Sequence, residues 1–231
     1  MPQEAPKTSD ATKPAKSGGQ MLLLVASVLV ITLSAIWIYH YQFSSPGLNA
    51  PLHQAVGRVM ADETARIVGP HGKIVVVTTE IRSAPELKVQ LEAFEKNLKL
   101  HNGIAIQDKV VLDPGENPKY RAGSGLSSKR FLKIARKHTG VEAVVSFVGA
   151  PALSAEDLNQ AKAVPKLIAE THSPEKLVML LEKKILVSAI VPRFEFPAPG
   201  PRKPSTGQEW FDRYFQVLTP ESHVASADES P

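Results

Sequence analysis

The sequence predicts an α/β protein: a Rossmann-like, doubly wound, mostly parallel five-stranded sheet behind an N-terminal transmembrane helix. Three observations carry this expectation. Met21–Tyr39 is a long run without a charge. Beyond it come short segments that are apolar on both faces, as strands covered from both sides must be. Those segments alternate with amphipathic ones, and right-handed crossovers then wind a parallel sheet.

The run MLLLVASVLVITLSAIWIY has 19 residues, enough to cross a hydrocarbon core of about 30 Å as a helix. Trp37, Tyr39, Tyr41 and Phe43 gather at its far end, where interfacial aromatics belong. Lys7, Lys13 and Lys16 precede it, and no Lys or Arg follows until Arg58. The positive-inside bias therefore puts the N-terminus in the cytoplasm and the rest outside. A cleaved signal peptide has a shorter apolar core and small residues at its cleavage site; bulky aromatics stand there instead. The expected organisation is a disordered cytoplasmic segment over 1–20 and an anchor over 21–40 in the cytoplasmic (inner) membrane. A linker over 41–51, an extracytoplasmic domain over 52–219 and a disordered tail over 220–231 follow.

Within the domain, Leu52, Ala55, Val56, Val59 and Met60 have helical spacing, and Gly69-Pro-His-Gly72 stops that helix. Lys73–Thr79 reads as the first strand. Ala84–His101 is a helix with Leu87, Leu91, Phe94 and Leu98 on one face, capped by Ser83 with Glu86 three residues on. Gly103–Leu112 is the second strand, Ser127–His138 a basic helix, and Glu142–Val148 the third strand. Ala155–Lys162 is a short helix with a Ser154–Asp157 box. Pro165–Glu170 is the fourth strand, Pro174–Lys184 a helix capped by Ser173, and Leu186–Val191 the fifth strand. A Pro-rich connection over 192–204 leads to QEWFDRYFQVLT, helical in spacing but strand-like at its end.

Composition removes several classes of chemistry. The 231 residues include no cysteine, so there is no disulfide, thiolate ligand or cysteine nucleophile. The net charge of +4 is mild and the basic residues are dispersed, so no nucleic-acid partner is expected. The seven histidines have no ligand spacing on a helix, so no metal is expected. Gly69-Pro-His-Gly-Lys73 precedes its strand and lacks the phosphate-loop spacing. Gly123-Ser-Gly125 opens a helix but lacks the third glycine of a dinucleotide loop. No cofactor is expected.

In doubly wound folds, ligands bind outside the carboxyl ends of the strands. That rule nominates Thr78, Thr79, Glu80, Arg82, Gly149, Glu170 and Arg193, with Asp113, Phe147 and His172 beside them. Two glutamates and two arginines would make a mixed-charge mouth, suited to a polyhydroxylated or zwitterionic small molecule. The aromatic segment offers Trp210, Phe211, Tyr214 and Phe215 to its own domain or to a partner.

The strand-three sentence VEAVVSFVGAP and the short strand PKLIA after a proline resemble one lobe of the type I periplasmic-binding-protein-like fold. The resemblance runs from about Gly69 to Arg193 and implies a ligand at the strand ends. Such proteins have two lobes, and this chain has length for one, so clamping a solute would need a pair of chains.

The expected function is binding: a scaffold or sensor in a cell-envelope assembly, held in the lipid bilayer by Met21–Tyr39 and joined to an envelope protein or a second copy. The alternatives are a solute-binding lobe for a sugar or amino-acid-like molecule, and an envelope enzyme using Glu80 and Glu170. Enzymatic activity is the least expected.

Overall fold

The computed structural model describes residues 18–43, 48–81, 84–101, 103–112, 126–160, 164–172, 177–193 and 204–222. The chain divides into two units, Met1–Leu48 and Asn49–Pro231.

Among its described residues the first unit holds one helix, α1 (Gly18–Phe43). Its side chains are described from Leu23 to Trp37, and all of these are exposed. No helix among the described residues is long and apolar enough to cross a membrane. The ends of the expected anchor over 21–40, and its cytoplasmic lysines, fall outside the residues with described side chains.

The second unit opens with α2 (Ala50–Val68). Asn49 caps it: the Leu52 amide donates to Asn49 Oδ1 at 3.3 Å, satisfying one of the free N–H groups of a first turn. Gly69, at φ 75°, ends it, a left-handed conformation that glycine adopts without a Cβ penalty. Then follow β1 (Lys73–Thr79), α3 (Pro85–Leu98), β2 (Ala105–Leu112), α4 (Ser128–Lys137), β3 (Ala143–Ser146) and α5 (Ala155–Gln160). β4 (Lys166–Glu170), α6 (Val178–Glu182), β5 (Leu186–Pro192), α7 (Gly207–Tyr214) and β6 (Phe215–Leu218) complete the unit.

The sheet order is β2-β1-β3-β4-β5-β6. β1 to β5 are parallel, and β6 runs antiparallel to β5. Among the described residues the sheet thus has six strands rather than the five expected. The aromatic segment is a helix up to Tyr214 and a strand from Phe215, so one periodicity covers two elements. Arg193 fixes that edge. Its amide donates to the Tyr214 carbonyl at 2.9 Å, and its Nε donates to the Phe215 carbonyl at 3.1 Å.

Strand alternation divides the core into two layers. Val75, Val77, Val144, Leu167 and Ala189 face Phe131 of α4 and Leu180 of α6. Ile74, Val76, Val145, Ile168 and Ile190 face Val56 and Met60 of α2, Leu91 and Phe94 of α3, and Phe211 of α7. The second layer positions the site, because α2 and α3 both begin at the end of the sheet where β1 and β4 finish.

Helix starts follow the expected signals in part. In α5 the box closes: the Asp157 amide donates to Ser154 Oγ at 3.1 Å, and the Ser154 amide donates to Asp157 Oδ2 at 3.0 Å. Ser127 caps α4, accepting from the Arg130 amide at 3.3 Å. α3 instead begins at Pro85 behind Ala84, without a side-chain cap. Ser83, Ser173, Pro174 and the Gly123–Gly125 loop lie outside the described residues, and α6 is shorter than expected, starting at Val178.

Candidate functional site

β4 ends on Glu170, which alternation places on the same face as Ile168, turned toward α2 and α3. Its side chain is 6% exposed. Gln90 of α3 meets it there. On α3, Leu87, Gln90, Leu91, Phe94 and Leu98 are the buried positions, so Gln90 is a polar residue standing in an apolar stripe. Gln90 Nε2 donates to Glu170 Oε1 at 3.0 Å and lies 3.3 Å from His53 Nδ1. His53 comes from the first turn of α2 and Glu86 from the first turn of α3. His172 follows β4 at the exposed edge.

Burial in this layer pushes the Glu170 carboxyl up to about 7. The Gln90 hydrogen bond opposes the shift and the nearby Glu86 charge adds to it. Burial also holds the His53 imidazole below its ordinary range, with Glu86 opposing and His172 adding. Desolvation lowers His172 as well. The cluster therefore holds two neutral imidazoles, one amide and an acid poised between its two forms near neutrality. Its groups both donate and accept, which matches hydroxyl-bearing molecules. Among the described residues no group of three or more metal-ligating side chains converges.

The nominated strand-end residues separate. Glu170 is the centre of the cluster. Thr78 is buried and its hydroxyl donates to the Thr79 carbonyl at 3.3 Å. Thr79 ties β1 to β2, donating to the Leu112 carbonyl at 3.1 Å. Gly149, at φ 97°, makes the turn after β3, where Ser146 Oγ donates to its carbonyl at 2.6 Å. Arg193 secures β6, as described above. Glu80 is exposed, and the carboxylate whose charge acts on Glu170 is Glu86 rather than Glu80. Arg82 and Asp113 lie outside the described residues.

The aromatic candidates also divide. Phe211 and Phe215 are buried and stack at 5.9 Å in the domain's own core. Trp210 and Tyr214 stack at 5.6 Å and are half-buried. The strand-end rule does not reach His53, Glu86 or Gln90, because they stand on helices. Gln90 leaves a readable mark as the polar member of the Leu87–Leu91–Phe94 stripe, whereas His53 and Glu86 leave none.

No protein-family model matches the chain, and no curated protein matches it. Solved structures do. An ABC-transporter solute-binding protein from Burkholderia graminis, in complex with D-arabinose, is similar at TM-score 0.50 and 14% identity, over 75% of this chain and 61% of its own. The sugar-binding protein of a sugar ABC transporter from Bacillus halodurans is similar at TM-score 0.50 and 11% identity, over 73% of this chain and 62% of its own. The XylFII molecule is similar at TM-score 0.50 and 14% identity, over 72% of this chain and 60% of its own. The chain spans about six tenths of the length of these structures. At such identities the likeness is one of fold: the chain resembles the periplasmic-binding-protein-like fold that its strand pattern suggests.

Proposed function

We propose that this domain binds a small polyhydroxylated solute, an aldose of pentose or hexose size, at the carboxyl end of its sheet. The observation that carries the reading is Glu170, an acid buried where this fold class takes ligands and held by Gln90 beside His53. A carboxylate, an amide and imidazoles suit a ring of hydroxyls, which donate and accept at once. The D-arabinose held by one structural neighbour and the sugar-binding description of another favour the same solute class.

Ligands that bind only the folded state raise its stability by mass action, about 2.7 kcal/mol at a hundredfold excess over Kd. Thermal unfolding of the full chain near pH 8 against a panel of pentoses and hexoses, D-arabinose included, is expected to rise by several degrees with at least one of them. A flat response across the panel sinks the reading.

The proposed setting is the outer side of the cytoplasmic membrane, with the run Met21–Tyr39 as an uncleaved anchor. The uncharged run Met21–Tyr39, with lysines before it and no Lys or Arg after it until Arg58, supports this orientation. A reporter that works only outside the cytoplasm, fused after Pro231, is expected to be active, and silence there overturns the orientation. The scaffold or sensor reading keeps less support. Of its four aromatic candidates, Phe211 and Phe215 are buried in the domain's own core and Tyr214 packs against it.

A further inference from the structure

We infer that a solute entering this site displaces a proton from Glu170, so that the Glu170–Gln90–His53 chain acts as a proton gate on binding. The inference rests on the solute-binding reading above. Its basis is hydrogen-bond arithmetic. The amide nitrogen of Gln90 carries two hydrogens. One goes to Glu170 Oε1 and the other points to His53 Nδ1. His53 then accepts at Nδ1 and keeps its proton on Nε2. Oε1 of Glu170 is filled by Gln90, which leaves Oε2, among the described residues, to carry a proton or to meet a solute.

Those two uses compete. A protonated Oε2 can give its hydrogen to a solute hydroxyl or accept weakly from one, but an ionised Oε2 accepts a bond about twice as strong as a neutral one. The proton therefore leaves Oε2 for solvent as the hydroxyl arrives, and no bond within the solute breaks.

The groups around Glu170 set the direction. From α3 comes Glu86, whose charge opposes ionisation. From α2 comes His53, held neutral by burial. Further along α2, Glu63 is engaged by Arg66 at 2.7 Å and by Ser188 of β5 at 2.8 Å. His172, two residues beyond the end of β4, acts on His53. The β5 register partner is Ile190, and the end of β3 beside β4 is Ser146; both are uncharged. Among the described residues no cationic side chain acts on Glu170, so the solute's own hydroxyls are what favour its charged form. Burial already keeps the proton on to about pH 7.

Calorimetry of the full chain with the sugar panel, run in phosphate and in Tris buffers, counts the protons released. Release is expected to approach one per bound sugar at about pH 6 and to vanish about two pH units above neutrality. Affinity should weaken about tenfold for each pH unit below 7. Glu170→Gln should abolish the release. Gln90→Met removes a donor that favours ionisation, so it should move the midpoint of the profile to higher pH.

Carboxyl carbon NMR of the sugar-free chain, with Glu170→Gln for assignment, gives a reading that needs no ligand. A Glu170 midpoint near the ordinary 4.5, or an affinity indifferent to pH, overturns the gate and leaves the solute site standing. If no sugar binds at any pH, the solute site falls and the gate falls with it.

Discussion

Glu170→Gln is expected to stabilise the folded domain by about 3 kcal/mol at pH 8 and to change it little at pH 4. In the unfolded chain this carboxyl ionises near 4.5; in the fold it keeps its proton to about 7. Between those values the folded state binds the extra proton. Unfolding then releases it, so stability falls as pH rises through that window and reaches its floor above 7. A shift of this size is worth about 3 kcal/mol at 1.36 kcal/mol per unit. Glutamine keeps the shape and a polar partner for Gln90 but has no charge to bury, so it escapes the loss. Urea denaturation of both chains across pH 4 to 8 checks this, read as the difference between the two curves. Parallel curves would mean that Glu170 reaches water and titrates as a surface acid.

This stability cost also bears on function. An acid that burdens its own fold at neutral pH, with an amide placed to hold it, is the pattern of a site where activity outweighs stability. A purely structural β4 could end on any residue that packs over Ile190.

The sheet was legible because its strands announce themselves. Lys73–Thr79, Glu142–Val148 and Leu186–Val191 are apolar on both faces, and only a covered parallel strand needs that. The sixth strand was half legible: the end of QEWFDRYFQVLT reads as strand-like, but Phe215 continues the helical stripe of Trp210, Phe211 and Tyr214, so spacing does not place the change of period. The site was half legible. Glu170 follows from the strand-end rule, whereas Thr79 and Arg193 satisfy the same rule and turn out to hold strands together. Position along a strand gives the end of the sheet but not what the neighbouring helix presents to it. His53 and Glu86 become partners of Glu170 only because α2 and α3 lie side by side over one layer, and no local spacing encodes that.

Gly57→Ala is expected to cost about 1–3 kcal/mol and to weaken the solute site with it. In an isolated helix the same change would stabilise by about 1 kcal/mol, since alanine is the better helix former. Here Gly57 is buried in α2 against α3. A Cβ would run into the backbone carbonyl oxygen of Gln90 and would come within 3.0 Å of Ala93 Cβ. A helical carbonyl cannot swing aside as a flexible side chain can, so α2 and α3 must separate. His53 lies one turn before Gly57 on the same face, so the separation falls on the 3.3 Å approach of Gln90 to His53. Packing and site are thus one contact seen twice. Urea denaturation and sugar titration of Gly57→Ala should move together, and stabilisation with unchanged affinity would refute the link. The double variant with Glu170→Gln discriminates further. If the two positions share the Gln90 contact, their effects depart from additivity by about 0.5 kcal/mol or more, whereas independent sites would add.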